Sequence, residues 1–193
     1  MSGFTTHETD LPGLLLIEPT VFADERGYFS QYYAEKAFFN LGMKRRFVQD
    51  NHSKSKKGVL RGLHFQRRHP QGKLVKVVNG ATFDVAVDLR VGSSGYRGWY
   101  GVVLTEENHK MLYLPEGFAH GFLVLSESAH FVYKCTDYYD PEDDCGIQWD
   151  DPDIGIRWPF SEYGIPAPIL SQKDRHQKRL KEIDVPFRFE ELR

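Results

Sequence analysis

Short apolar stretches that alternate residue by residue with other side chains constrain the fold of this chain more than any other feature. In residues 82–89 (TFDVAVDL) a large apolar side chain stands at every second position, which is the period of a strand with one buried face. Further apolar stretches, separated by turn-forming residues, follow at intervals of about ten residues, over 74–78, 99–104, 111–114, 121–125 and 131–136. We therefore predict an all-β fold, an antiparallel jelly roll or barrel.

The segments between these stretches predict the rest of the organisation. Asn79-Gly80 stands between two strands and is a hairpin signal. Residues 33–41, followed by Gly42, predict a short peripheral helix, and a second is expected from about residue 171 to 180. The 193 residues contain no repeat and no linker, and their number suits one domain over 1–193.

Charge and composition exclude several classes of protein. The formal net charge is -2 and charges of both signs are interspersed, so we expect no nucleic-acid partner, although a local basic cluster could still bind an anionic substrate. Residues 1–10 are polar and do not predict a signal peptide, and no apolar stretch approaches the roughly 20 residues that span a bilayer. Cys135 and Cys145 form no CxxC pair, which predicts reduced thiols in a cytoplasmic protein.

Two histidines stand in distinctive surroundings. His64 lies in RGLHFQ (61–66), where strand alternation puts Arg61 on one face and His64 on the other unless a bulge intervenes at Gly62. His120 lies in PEGFAHGF (115–122), a tight turn that delivers it to the start of a strand. Taken alone, each is more often a structural or surface histidine than a catalytic one.

Other candidates are equally ambiguous when taken alone. Tyr133 shares a strand face with Phe131 and Cys135, so it is either a core tyrosine or a proton donor, while Cys135 is interpreted as a small core residue. Ser171 and Asp174 resemble a helix cap, which is the preferred interpretation of both. Two further acidic residues alternate with apolar ones and are interpreted as structural, Asp84 and Asp88.

Metal binding is not expected. Metal-binding cupins use a His-x-His pair, and here Phe65 and Gln66 follow His64, so the pair is broken. His64 with His120 leaves only a small opening for a metal. The sequence also has no P-loop, no dinucleotide-binding glycine motif and no nucleophile elbow.

Considered together, these segments resemble the dTDP-4-dehydrorhamnose 3,5-epimerase family of rhamnose biosynthesis. The resemblance runs from about residue 14 to residue 174, with order and spacing both matching. It is carried by the motifs DERGYF (24–29), FVQDNHS (47–53), GVLRGLHFQ (58–66), QGKLV (71–75), FDVAVDLR (83–90), PEGFAHGF (115–122), VYK (132–134), WDDP (149–152) and SQKD (171–174).

The resemblance implies a cupin-type jelly roll, a homodimer that exchanges N-terminal strands, and a dTDP-linked sugar as substrate. It implies His64 as general base, Asp174 as its orienting partner, Tyr133 as proton donor and Lys73 beside the sugar. The other matched positions are expected to bind substrate. Arg61 and His120 are expected near the sugar and phosphate, and Tyr139 near the nucleobase. Arg26 and Gln31 are expected at the nucleotide end, Arg26 in the neighbouring subunit's site, and four further contacts are expected from Gln49, Asn51, Asp144 and Lys173. The family pattern has Glu where this chain has Gln31, and an amide can donate as well as accept.

The implied reaction inverts C3 and C5 of dTDP-4-keto-6-deoxyglucose. Because the C4 keto group acidifies the hydrogens on both neighbouring carbons, the reaction needs a base, an acid and a cation, and no cofactor. Three alternatives stay open: an epimerase of one carbon only, a non-catalytic sugar-nucleotide-binding cupin, and a metal-dependent cupin isomerase or dioxygenase.

Overall fold

A computed structural model describes residues 3–192, and the side chains of residues 3–190. Met1, Ser2 and Arg193 of the expected domain lie outside the described residues. The strands are β1 (Phe4–Glu8), β2 (Leu15–Pro19), β3 (Val21–Asp24), β4 (Gly27–Ser30), β5 (Gln49–Lys56), β6 (Leu60–Gln66), β7 (Lys73–Asn79), β8 (Ala81–Asp88), β9 (Trp99–Thr105), β10 (Met111–Leu114), β11 (Phe118–Val124), β12 (Ser128–Cys135) and β13 (Asp144–Gly146). The helices are α1 (Glu35–Asn40) and α2 (Gln172–Arg175), with 3₁₀ turns at Leu180–Glu182 and Phe189–Leu192.

The strands form two sheets and one separate hairpin. One sheet has the order β1-β2-β10-β7-β12-β5 and the other the order β13-β6-β11-β8-β9, while β3 and β4 pair only with each other. All pairings between these strands are antiparallel. The prediction of an antiparallel jelly roll with short peripheral helices is confirmed.

The core lies between the two sheets because alternate residues of both face inward. Val75 and Phe131 from the six-stranded sheet pack with Ala86, Phe122 and Val124 from the five-stranded sheet. The outer face of the five-stranded sheet is covered by apolar residues of the C-terminal segment, including Leu180 and Phe187. These coverings account for strands such as β8 being buried on both faces.

The hairpin predicted at Asn79-Gly80 is wrong. β7 and β8 belong to different sheets: β7 lies between β10 and β12, and β8 lies between β11 and β9. Gly80 still makes the sharp turn, at φ +79°, but the chain crosses there from one sheet to the other. The residues of the turn allow the chain to reverse direction at Gly80. Which strands pair is decided by the burial of the inward faces of β7 and β8 in one core between the sheets.

The first helix agrees with its prediction, and the second is much shorter than expected. α1 falls within residues 33–41 and is followed by Gly42 at φ +96°. α2 ends at Arg175, because the chain beyond it runs alongside Ile147 through a parallel bridge at Lys178. Within residues 3–192, no helix is long and apolar enough to cross a lipid bilayer.

Candidate active site

A cavity with two lobes opens between the sheets. The outer lobe has a volume of about 350 Å³ and is lined by Gln49, Asn51, His64, Phe65, Gln66, Gln71, Lys73, Tyr133, Tyr139 and Asp144. The inner lobe has a volume of about 160 Å³ and is lined by Ser53, Arg61, His64, Lys73, His120, Phe122 and Tyr133. Three side chains line both lobes, His64, Lys73 and Tyr133, and so mark the neck between them.

A bulge in β6 shapes the inner lobe. In the ladder with β11, His64 pairs with His120 and Arg61 pairs with Phe122, so three steps along β6 match two along β11. The extra residue turns Arg61 into the same lobe as His64. The alternation prediction that separated these two side chains is therefore wrong, and the bulge is the physical reason.

Gly62 allows this close approach. It has φ +125°, a conformation that favours glycine. A Cβ at residue 62 would stand 2.5 Å from the Cα of Gly121 on β11, closer than any side chain tolerates. The two glycines therefore let the histidine-bearing strands lie backbone against backbone.

His64 is held by a carboxylate. Its Nε2 lies 2.5 Å from Oδ1 of Asp174, whose side chain is 4% exposed against 33% for His64. The Ser171 hydroxyl donates to Oδ2 of Asp174 at 2.8 Å and accepts from the Asp174 backbone N–H at 3.0 Å. Burial opposes ionisation of Asp174, yet its hydrogen bonds with His64 and Ser171 hold its pKa below the usual value. The predicted helix cap and the implied partnership with His64 are thus present together.

Tyr133 lies on the inward face of β12, as alternation predicts. Its strand-face neighbours Phe131 and Cys135 are each 1% exposed. Burial raises the pKa of the Tyr133 phenol, which keeps it protonated. Among residues 3–190 its hydroxyl has no hydrogen-bond partner and faces the cavity.

Two cations line the inner lobe without forming ion pairs to the side chains of residues 3–190. Lys73 begins β7, and burial lowers the pKa of its ammonium, while nearby Cys135, Asp144 and Asp84 raise it. Arg61 donates from Nε and Nη2 to the Ser55 hydroxyl, each at 3.1 Å. Both cations can therefore receive an anionic oxygen.

A second histidine–aspartate pair faces the first across the β6–β11 ladder. Nε2 of His120 lies 2.9 Å from Oδ2 of Asp84, with side-chain exposures of 8% and 0%. The His120 ring stacks on Phe131 at a centroid distance of 5.9 Å. Asp84 was interpreted as structural from the sequence. Alternation places Asp84 on the face opposite the large apolar residues of β8, so no signal in the sequence alone identifies its contact with His120.

Hydrogen bonds order one wall of the outer lobe. Gln49 donates from Nε2 to Oδ1 of Asn51 at 3.0 Å and accepts the Tyr139 backbone N–H at 2.9 Å. The Tyr139 hydroxyl donates to Asp144 at 2.8 Å, which raises the pKa of Tyr139 to about 12, and Lys173 forms an ion pair with the same carboxylate. Sequence reasoning missed three residues that also line this lobe, Phe65, Gln66 and Gln71.

Arg26 and Gln31 are not brought to the cavity of their own chain. Both are exposed, Arg26 at the turn of the β3–β4 hairpin and Gln31 immediately after β4. The Arg26 guanidinium, 85% exposed, binds the neighbouring Asp24 at 2.5 Å, and neither Arg26 nor Gln31 lines either lobe.

No three His, Cys, Asp or Glu side chains in the described part of the chain are grouped so that they could hold a metal ion. The second histidine–aspartate pair lies beside the first, since His64 and His120 pair across adjacent strands, and the two aspartates come from different elements, Asp174 from α2 and Asp84 from β8.

Comparisons with known proteins agree with this architecture. The family model described as dTDP-4-dehydrorhamnose 3,5-epimerase matches residues 8–182. A dTDP-4-dehydrorhamnose 3,5-epimerase from Methanothermobacter thermautotrophicus is 54% identical over 182 residues, covering 94% of this chain and 97% of that protein.

Two solved structures are similar as well. The dTDP-6-deoxy-D-glucose-3,5-epimerase of Legionella pneumophila, in complex with dTDP-4-keto-L-rhamnose, has a TM-score of 0.90 at 48% identity, covering 94% of this chain and 95% of that one. A 3'-monoepimerase from Streptomyces bikiniensis, in complex with dTDP-quinovose, has a TM-score of 0.82 at 31% identity, covering 91% and 87%. By sequence and by fold, the chain belongs to the dTDP-4-dehydrorhamnose 3,5-epimerase family.

Proposed function

We propose that the protein epimerises C3 and C5 of dTDP-4-keto-6-deoxyglucose, giving dTDP-4-keto-rhamnose. One observation carries the proposal: an imidazole with a carboxylate partner, a protonated phenol and an ammonium that has no ion pair within residues 3–190 line the same neck of one cavity. A sugar ring in that neck has a base, an acid and a cation within reach. The family membership of the chain supports the same reaction.

The first half of each inversion is removal of a proton from the carbon beside the ketone. Nε2 of His64 faces Asp174, so Nδ1 holds the lone pair that accepts the proton. The C–H electron pair becomes the enolate π bond, and the charge moves to the C4 oxygen. Asp174 stabilises the imidazolium and fixes its orientation.

The second half returns a proton to the opposite face. The phenol of Tyr133 donates, and the enolate collapses to the ketone with the carbon inverted. The phenolate then takes a proton from solvent through the open outer lobe, and His64 releases its proton the same way. Repetition at the other carbon completes the double epimerisation.

Positive charge near the C4 oxygen lowers the barrier to both halves. Lys73 and His120 line the inner lobe together with His64 and suit this role. Such preorganised stabilisation of an oxyanion is worth on the order of 3 kcal/mol. Arg61 suits the sugar and diphosphate, since a guanidinium fork matches phosphate oxygens.

The outer lobe suits the nucleotide. Tyr139 offers a ring for the nucleobase, and Gln49, Asn51, Asp144 and Lys173 offer polar groups on the same wall. We include Gln31 among the groups for the nucleotide end, where its amide can donate to a base carbonyl that a carboxylate would repel.

The test is solvent exchange. The protein is incubated with dTDP-4-keto-6-deoxyglucose in deuterated water, and deuterium is located by NMR. We expect label at both C3 and C5, and no label at either carbon would end the proposal. Because a 3'-monoepimerase is among the structural neighbours, the second candidate is inversion at C3 alone, which label confined to C3 would establish.

We also propose that the protein works as a homodimer that exchanges N-terminal strands, so that an arm formed by the β3–β4 hairpin reaches the neighbour's site. β1 pairs with β2 of the same chain, so the β3–β4 hairpin is the N-terminal element left to reach outward. It carries exposed aromatic side chains at Phe22, Tyr28 and Phe29 together with Arg26. Free Cys135 and Cys145 support a cytoplasmic location for this dimer.

Mixed dimers test this arrangement. Arg26→Ala and His64→Ala proteins, each nearly inactive alone, are unfolded together and refolded. A mixed dimer would contain one site with both native residues, so about a quarter of wild-type activity should return if chains pair at random. A monomer by light scattering, or no recovery in verified mixed dimers, would overturn the arm proposal.

A further inference from the structure

Glu116 is a buried carboxylate that the proposed reaction does not use. Its side chain, 10% exposed, follows β10 in the turn that leads to β11. The Thr136 hydroxyl donates to its Oε1 at 2.9 Å, and the exposed Arg45 lies 3.6 Å from the same oxygen. A buried carboxylate needs such partners, and what they fix in place indicates its role.

The hydroxyl of Thr136 links Glu116 to the backbone of Gly72, the residue before Lys73. A carboxylate only accepts, so the single Thr136 proton points to Glu116 and leaves its lone pairs for another donor. That donor is the Gly72 backbone N–H, at 2.7 Å. The Thr136 backbone N–H in turn donates to the Gly72 carbonyl at 3.0 Å. Residue 72 is therefore held at both of its hydrogen-bonding groups.

Glu116 and Thr136 flank the start of β7, one on each side. Lys73 pairs with Leu114 of β10 on one side and with Cys135 of β12 on the other. Thr136 directly follows β12, and Glu116 follows β10 after Pro115. A Cβ on Gly72 would lie 3.1–3.3 Å from atoms of both, so the space between them fits glycine alone without adjustment.

We infer that Glu116 is a positioning residue for Lys73, acting through the Thr136 hydroxyl and the Gly72 backbone. This inference rests on the proposed function, since it assumes that the Lys73 ammonium stabilises the enolate. An ammonium that lacks an ion-pair partner within residues 3–190 depends on its backbone for its position. The Glu116–Thr136–Gly72 chain supplies that support at the residue next to it.

The principal variant is Thr136→Val, which keeps the shape and removes the hydroxyl. Misplacing Lys73 affects the transition state more than substrate binding, so kcat should fall about tenfold with KM within about twofold. Glu116→Ala should act in the same direction, and Thr136→Ser should retain wild-type kcat. Thermal unfolding of each variant establishes that it is folded.

Ser126→Ala is the matched control. Ser126 accepts the Ala81 backbone N–H at 2.8 Å and donates to the Ser128 carbonyl at 2.7 Å, so it makes the same kind of link at the opposite end of β12. Its loss should lower the unfolding temperature as Thr136→Val does and leave kcat unchanged. An equal fall of kcat in both variants would reduce the role of Thr136 to general stability and overturn the inference.

A double-mutant cycle separates positioning from every other role. In a Lys73→Met background, Thr136→Val should change the residual rate of deuterium exchange by less than about twofold, because the group it positions is gone. A full tenfold fall in that background would overturn the inference and leave the proposed function intact. Absence of exchange in the wild-type protein would instead end the proposed function itself.

Discussion

Two histidine–aspartate pairs stand side by side in this cavity and differ in their access to solvent. His64 is 33% exposed and its partner Asp174 is bound on its other oxygen by Ser171. His120 is 8% exposed, and Oδ1 of its partner Asp84 is buried with no partner within residues 3–190. The pairs share residue types, while the first lies at the neck of the cavity and the second lies within the sheet.

This difference assigns the two pairs different tasks. A catalytic base must both take a proton and release it, and partial exposure gives His64 a route to solvent. His120 is enclosed by Phe122, Phe131 and Asp84, so it suits a fixed hydrogen bond to the ketone. The same side-chain pair can therefore serve as base or as electrostatic support according to its burial.

The largest effect should come from His64→Ala. Loss of the base should lower kcat about a thousandfold, while the dissociation constant for dTDP changes by less than about threefold. Stopped assays and calorimetric titration measure the two quantities. If binding and kcat fell by equal factors, His64 would be a binding residue and the distinction between the pairs would fail.

An intermediate effect is expected from Asp84→Asn. The amide keeps the shape and can still contact His120, yet it removes the negative charge behind the ring, so kcat should fall about tenfold. The C3 and C5 exchange rates in deuterated water should fall together, because one ketone serves both carbons. A loss as large as that of His64→Ala would contradict the assignment of His120 to electrostatic support and place it with His64 in proton transfer.

The smallest effect should come from Ser171→Ala, and it should show most clearly in how the stability depends on pH. The lowered pKa of Asp174 means that its contribution to stability is fully present above the ordinary value of 3.8 and is lost as pH falls through the folded-state pKa. Removing the Ser171 hydroxyl raises that folded-state pKa towards 3.8. Thermal unfolding followed between about pH 5 and pH 2 should therefore show a smaller acid-dependent loss of stability than in the wild-type protein, complete at a higher pH, with kcat at neutral pH reduced about threefold or less.

Much of the fold could be predicted because each strand carries its own period. The shared face of Phe131, Tyr133 and Cys135 follows from alternation alone. The inward face of β8 does not, because that face carries Asp84 and Ala86 while the larger apolar residues of the strand pack against the C-terminal segment. Pairing could not be predicted in the same way. The turn at Asn79-Gly80 joins two sheets because partners distant in sequence compete for β7 and β8.

The candidate site was predicted only where motifs were available. His64, Lys73 and Tyr133 meet at the neck, and the resemblance had implied all three. Alternation failed at Arg61 because one extra residue in β6 reverses the facing of side chains. Asp84 was missed because alternation places it on the face of β8 opposite the large apolar residues, and in the structure both faces of this strand are buried.

The contact between Gly62 and Gly121 has a consequence for anyone who wishes to redesign this enzyme. The separation of the two imidazoles is set by two missing methyl groups, since a Cβ at either glycine would stand within 2.7 Å of the opposite backbone. Even alanine at either position would force β6 and β11 apart and increase the distance between the His64 and His120 rings. The spacing of the two imidazoles thus depends on positions that line neither lobe, and a mutant library confined to cavity-lining residues would not sample it.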